Sequence, residues 1–360
     1  MAGLAGTMLA DFEFRPGPRL AVGPGRLAEL GRLVRELGGS RVLLTSDRGV
    51  IEAGHVAAAT ESLADAAIEP LIFSTFGENP SSAEVEEGTA VARDFAPDLL
   101  VGLGGGSSMD MAKGINFLLS CGGRMQDYKG RGTATGPLLP SIGVPTTAGT
   151  GSETQSFALI TDSDTGLKMA CGDPAAGFRV AILDVNLTLT QPRSLVAIGG
   201  IDAVAHAVES AVCLAATPAS RLFSREAWRL LATHLPTVLG PDTSIEARAA
   251  VQWAAALAGL AIENSMLGAA HALANPLTAA YGLTHGRAVG LLLPHVVRFN
   301  APVVGSLYAD LLAAAGDGSV SPSAAGDSLA ARLTALLVTG DLPVSLASAG
   351  IPAADVETLA

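Results

Sequence analysis

Residues 100–114 read LVGLGGGSSMDMAKG. An apolar run ends in three glycines, and a helical pattern opens directly behind them. That is the form of a buried strand, a tight turn and a helix. Gly104, Gly105 and Gly106 allow the backbone to turn and let an anion approach closely. Ser107 stands at the expected helix start, where free N–H groups and the positive end of the helix dipole attract phosphate. Asp110, three residues further on, is either part of the same binding turn or the acidic half of a capping box. The spacing is not G-x-G-x-x-G, so the standard dinucleotide fingerprint does not apply.

Working outward, residues 41–46 (RVLLTS), 69–74 (EPLIFS) and 98–104 (DLLVGLG) read as buried strands, with helical patterns over 26–37 and 83–95 between them. Strand and helix in alternation imply βαβ units and a mostly parallel sheet. After about Pro192 the strand signals fade. From there the pattern is helical, with breaks expected at Pro218, 236–242, 281–284 and Pro294. The expectation is an α/β N-terminal domain over residues 1–190 and an all-helical C-terminal domain over 191–360. A chain of 360 residues with 49% hydrophobic content can fill two cores.

Composition narrows the class. A net charge of -12 argues against nucleic acid and against an anionic membrane as partner. Cys121, Cys171 and Cys213 are few, odd in number and widely spaced, as reduced cytosolic thiols would be. The start, MAGLAGTMLADFEF, lacks the basic end and long apolar core of a signal peptide. The apolar run 249–262 is closed by Arg248 and Glu263, and reads as a buried helix too short to span a bilayer. These readings predict a cytoplasmic protein.

A second glycine loop, PTTAGTGSE (145–153), follows the strand-like SIGV. Thr146, Thr147 and Thr150 supply hydroxyls there, and beside a phosphate-cradling turn the loop is a candidate wall for the rest of a dinucleotide. Asp47 lies just past RVLLTS. A carboxylate at that point accepts hydrogen bonds from an adenosine ribose and repels a 2′-phosphate, although an ordinary cap would look the same.

In the second half, Asp202 and His206 sit four apart in GGIDAVAHAVES, on one face of a helix. His271 and His285 bracket HALANPLTAAYGLTH. Three neutral imidazoles and one carboxylate suit a borderline divalent cation, Fe(II), Zn(II) or Mn(II), with coordination positions left open. Spacing alone is equally compatible with scattered core or capping residues. Of the other histidines, His55 and His234 read as surface residues and His295 as a packing residue. Lys168 reads as a solvated lysine ahead of one that reaches a cofactor or anion.

Taken together, GGGSSMDMAKG, VPTTAGTGSE, AILDVNLTLTQP, GGIDAVAHAVES and THGRAVGLLLPHVVRFN resemble, in this order, the iron-containing (group III) alcohol dehydrogenase family along almost the whole chain. The resemblance implies a dinucleotide-binding N-terminal domain and a helical C-terminal domain with a metal between them. It implies that Asp202, His206, His271 and His285 are the metal ligands. Gly105, Gly106 and Ser107 become the pyrophosphate turn, with Asp110 nearby, and Thr146, Thr147 and Thr150 line the way to the nicotinamide. Asp47 falls where members preferring NAD carry an aspartate.

Alcohol oxidation removes a proton from oxygen and a hydride from carbon, so cation and dinucleotide must meet in one cleft. The reading is therefore an NAD-linked, metal-dependent alcohol dehydrogenase or aldehyde reductase for a small substrate, and the resemblance alone implies a homodimer or larger homo-oligomer. A glycerol- or hydroxy-acid-type dehydrogenase is the alternative on the same scaffold. A lyase resembling dehydroquinate synthase, or a non-catalytic relic, stands further back. The sequence departs from the family at Asn275, where many members carry a proton-relaying histidine and where an amide stands in for the relay or contacts the substrate, and at GIPAADVETLA, where relatives continue for another helix.

Overall fold

A computed structural model of the chain describes residues 11–241 and 244–355. The strands are β1 (Arg19–Val22), β2 (Val42–Thr45), β3 (Leu71–Phe73), β4 (Leu99–Gly104), β5 (Gly130–Arg131), β6 (Ser141–Pro145), β7 (Phe157–Thr161), β8 (Lys168–Gly172) and β9 (Val180–Leu183). The helices of the first half are α1 (Leu30–Glu36), α2 (Arg48–Glu52), α3 (His55–Asp65), α4 (Ser82–Phe95) and α5 (Gly106–Cys121). Those of the second are α6 (Arg193–Val212), α7 (Pro218–Leu239), α8 (Ile245–Glu263), α9 (Ala269–Tyr281), α10 (His285–Ala314) and α11 (Pro322–Thr339).

Six strands form a sheet in the order β1-β9-β6-β4-β2-β3, and every neighbouring pair is parallel. β2, β4, β6 and β9 are buried along their whole length. Helices cover both faces, which is why these strands are apolar without alternation. Val42 and Leu44 of β2 pack with Leu30, Leu33 and Leu63 on one face, while Leu43 packs with Val85, Met111 and Ile115 on the other. A smaller sheet, β5-β8-β7, lies apart, with β7 and β8 antiparallel. Because β2, β4 and β6 are parallel neighbours, Thr45 is in register with Gly102 and Gly104 with Pro145. Asp47 and the two glycine loops therefore leave the same edge side by side, the edge at which parallel sheets bind ligands.

The second half is helical, around a core that includes Val204, Trp228, Leu231, Leu293, Tyr308 and Leu333. Two expectations need correction here. Pro294 does not break the chain: α10 runs through both Pro294 and Pro302, with a kink at Val304 (φ -115°, ψ 16°). Gly290 against Ile201 and Leu337, and Gly305 against Pro322, hold that helix to its neighbours on both sides of the prolines. Tertiary packing outweighs the lost hydrogen bonds. Nor is the 249–262 run too short for a bilayer, since its helix spans Ile245–Glu263. α6, α8 and α10 are each long and apolar enough to cross a membrane by length and composition. Burial decides their role, because 78%, 67% and 50% of those windows is enclosed within the protein.

The two halves touch backbone to backbone. A Cβ on Gly149 would lie 2.6 Å from Gly199 Cα of α6, and one on Gly151 (φ +62°) 2.7 Å from Gly259 Cα of α8. A Cβ on Gly259 would in turn lie 2.1 Å from Thr154 Oγ1 and 2.6 Å from the Gly151 carbonyl oxygen. Gly259→Ala should therefore destabilise the protein by about 1–3 kcal/mol despite alanine's better helix propensity, because the obstruction is largely backbone. A thermal melt showing an unchanged or raised Tm would contradict this contact.

Candidate active site

The glycine turn sits between β4 and α5, with Gly105 as N-cap and Gly106 as the first helical residue, one position earlier than expected for Ser107. Gly104 is the glycine that the backbone demands, at φ +147°, and a Cβ there would lie 2.3 Å from Ser108 Oγ. Gly106 is demanded by space: its Cβ would lie 2.9 Å from Thr150 Cγ2. The threonine loop thus roofs the turn. Thr146 N donates to the Gly104 carbonyl at 2.9 Å, Thr147 lies over Gly105, and Thr147 Oγ1 is buried with no hydrogen-bond partner among the described residues. Ser107 Oγ accepts from Asn79 N at 3.2 Å. A helix N-terminus with a glycine floor and a hydroxyl roof fits a diphosphate well.

Asp47 is the cap that the ordinary reading expects. It caps α2, accepting from Val50 N at 3.1 Å, and its other oxygen accepts from Ser108 Oγ at 3.2 Å beside the turn. Asp110 is no capping-box residue, since Gly105 is the N-cap. It lies buried on the inner face of α5, where it accepts from Ser152 Oγ at 2.8 Å, and burial pushes its carboxyl up. Lys168 is not simply solvated. Its ammonium donates to Asn79 Oδ1 at 2.9 Å, and burial lowers its pKa against the fields of Asp110, Asp202 and Glu78. His55 is buried, with Nε2 2.8 Å from Thr190 Oγ1, and His234 is half-buried.

On α6, one helical turn beyond Gly199, Asp202 and His206 share a face as expected. His271 comes from the first turn of α9 and His285 opens α10, the two helices being separated at 282–284. Asp202 Oδ1 lies 3.6 Å from His206 Nε2, 3.6 Å from His271 Nε2 and 3.9 Å from His285 Nε2. These separations are too long for hydrogen bonds, and both Asp202 Oδ1 and His271 Nε2 are buried without a partner among the described residues. A tetrahedral cation with bonds of about 2.1 Å would set its ligand atoms about 3.4 Å apart. The spacing therefore fits a shared ion, and four orphaned or converging donors would be costly in any other arrangement. The ligand atoms of Asp202, His271 and His285 all lie within 4.8 Å of one another, and His206 Nε2 adds a fourth at 3.6 Å from Asp202 Oδ1.

The residue that sequence reasoning missed is Glu209. Its carboxylate accepts from Gly268 N at 3.1 Å and Ala270 N at 2.6 Å, and lies 2.5 Å from His271 Nδ1. It orients the imidazole from behind and raises its basicity. The signal was present: Glu209 follows Asp202 by seven and His206 by three, on the same helical face. Burial opposes charge on His271, but the carboxylates of Asp202 and Glu209 outweigh it and lift its pKa to about 9. Burial drives His285 down to about 4 and lowers His206 as well. Burial would also raise the Asp202 carboxyl, yet the surrounding imidazoles hold it far below the usual range. Asn275 lies one turn after His271 on α9. It is exposed and has no side-chain hydrogen bond among the described residues.

A family model for iron-containing alcohol dehydrogenase matches residues 17–185, and the family's C-terminal model matches residues 196–360. The chain belongs to the iron-containing alcohol dehydrogenase family. Over 95% of its length it is 32% identical to the NAD-dependent methanol dehydrogenase of Bacillus methanolicus, covering 91% of that protein. It is 34% identical to the 1,3-propanediol dehydrogenase of Klebsiella pneumoniae over 92% of this chain and 87% of that one. The crystal structure of a 1,3-propanediol oxidoreductase superposes with a TM-score of 0.93 at 32% identity, over 97% of this chain and 92% of the other. As a member of the iron-containing alcohol dehydrogenases the protein is an oxidoreductase.

Two outcomes follow for the imidazole cluster. Glu209→Gln should weaken metal binding roughly 10–100-fold in a metal titration, whereas an unchanged affinity would deny Glu209 its orienting role. Without metal, His271 keeps its proton at neutral pH because its pKa is about 9. An arriving cation displaces that proton, so affinity should climb about tenfold per pH unit from neutrality until pH reaches about 9, and level off above. Calorimetry in buffers of differing ionisation enthalpy should find one proton released per ion, and none released would contradict the assignment.

Proposed function

We propose that this protein is an NAD(H)-linked, metal-dependent alcohol dehydrogenase that interconverts a small alcohol and its aldehyde. The observation that carries the reading is the contact of Gly149 with Gly199. It joins the roof of the dinucleotide turn to the helix that carries Asp202 one turn later, so the two halves of the chemistry share one cleft. Asp202, His206, His271 and His285 would hold the divalent cation, Fe(II) foremost, with Zn(II) or Mn(II) as the other ions that this donor set accepts. When bound, the cation would supply Lewis acidity toward the substrate oxygen, and the nicotinamide would take up or deliver the hydride.

The chain's own residues do the holding and orienting. The free N–H groups at the start of α5, with Gly105, Gly106 and Ser107, bind the diphosphate, and Thr146, Thr147 and Thr150 line the way from it to the nicotinamide. Asp47 receives the adenosine ribose and disfavours a 2′-phosphate, and Lys168, held by Asn79, lies within the electrostatic reach of both Asp110 and Asp202. Asn275 occupies the position of the relay histidine with a group that does not titrate near neutrality, so the proton leaves through water or the cofactor ribose. We place the boundary between the two domains at residues 190 and 191, and the protein in the cytoplasm as a homodimer or larger homo-oligomer.

The decisive test is NADH oxidation by protein reconstituted anaerobically with Fe(II), over a panel of short aldehydes, hydroxyaldehydes and aldehyde acids. Turnover that needs both metal and Asp202 is expected, with Asp202→Ala inactive. Tight metal and NADH binding without turnover on any compound would overturn the catalytic reading. Asp47→Gly should relax the preference for NADH over NADPH, and a preserved preference would remove Asp47 from coenzyme selection. Asn275→His should alter the pH profile of turnover while metal affinity stays near the parent's. Loss of metal binding instead would show that Asn275 has been given the wrong role.

A further inference from the structure

Lys113 lies on the inner face of α5, two turns past the glycine turn, and is only 2% exposed. Its ammonium donates to the carbonyls of Ser152 at 2.7 Å, Gln155 at 2.8 Å and Phe157 at 2.8 Å, which uses all three of its N–H donors. Ser152 Oγ lies 3.1 Å away and itself donates to Asp110 Oδ1 on the previous turn of the helix. The Phe178 ring closes the remaining side, its centroid 5.1 Å from the ammonium.

A buried cation is costly, and an apolar side chain of the same length would fill this space at less expense. What the charge achieves is a gathering of three carbonyls, two from the irregular loop before β7 and one from Phe157 at the start of that strand. That loop reaches the glycine turn. Ser152 N donates to Thr150 Oγ1 at 3.3 Å, and Thr150 is the residue that roofs Gly106. Its other side is fixed by the helical half. Glu263 of α8 accepts from Ser156 N at 2.8 Å and from Ser156 Oγ, and Thr154 Oγ1 donates to the Ala256 carbonyl at 3.0 Å.

We propose that Lys113 is a positioning residue for the cofactor: with Asp110, it holds the 150–157 loop at the height above the glycine turn that a dinucleotide diphosphate requires. This rests on the NAD-binding reading above. It also gives Asp110 its place, since Asp110 reaches the cofactor through Ser152 and Thr150 and not by direct contact.

The test is a fluorescence titration of metal-loaded protein with NADH, independent of turnover. Lys113→Met keeps length and apolar volume but removes the charge. It should weaken NADH binding at least about tenfold and raise KM for NADH more than it lowers kcat, with metal content unchanged. Ser152→Ala removes only the hydroxyl link and leaves the carbonyl bonds in place. It should weaken NADH binding by a few-fold with a near-parental Tm, which keeps the proposal testable if Lys113→Met fails to fold. Parental NADH binding alongside unchanged affinity in Ser152→Ala, or in folded Lys113→Met, would overturn the strut alone. Failure of the parent protein to bind NADH would overturn the cofactor reading, and the strut with it.

Discussion

The structure turns on an approach of backbone to backbone. Between Thr146 and Ser156 the chain passes from the sheet to the hairpin β7–β8 with glycine facing glycine at two points, Gly149 against Gly199 and Gly151 against Gly259. No side chain intervenes, so the separation between the dinucleotide turn and α6 cannot relax by rotamer change. Interiors this tightly packed transmit displacement instead of absorbing it. A metal site on α6 and a cofactor site at the end of β4 can cooperate only if their separation is held in this way, because hydride transfer tolerates little error in distance.

Much of this was legible beforehand, for physical reasons. Buried parallel strands such as VLLT and LLVGLG have to be continuously apolar, and they were found at nearly the right limits. The i, i+4 pair Asp202–His206 needs only helical periodicity to be placed on one face. The quartet as a whole was another matter. His271 and His285 come from separate helices, and their meeting with Asp202 depends on how α9 and α10 turn at Gly282, which spacing alone does not determine. The family resemblance supplied that link before the geometry did.

Other elements were hidden because their signals are weak or non-local. The hairpin β7–β8 runs from the pair Thr161–Lys168 at its turn to Phe157–Gly172 at its open end, and only β7 alternates between half-buried and buried positions. Pro294 looked like a stop because proline costs a helix a hydrogen bond, yet packing along α10 compensates. Lys168 carried no local sign of its location. Only the fold brings it beside Asn79, a residue at φ +55° in a segment that sequence reasoning left unremarked. Asp110 has its partner, Ser152, 42 residues away, a pairing that local spacing does not reveal.

The charge balance at the quartet explains why Glu209 stands behind His271 and not among the ligands. Asp202 alone against a divalent cation leaves a net positive site, able to polarise a substrate oxygen. A second carboxylate in direct contact would neutralise it. Placed on the far side of an imidazole and tied to two backbone N–H groups, Glu209 strengthens the ligand while much of its charge is spent on those hydrogen bonds. The metal-free cluster bears the mark of the same balance: with two carboxylates and no cation, His271 is the one imidazole driven toward protonation, while burial keeps His206 and His285 neutral. The proton on His271 occupies electrostatically the place that the cation takes, which ties metal affinity to pH through one residue and leaves the other two imidazoles ready to bind.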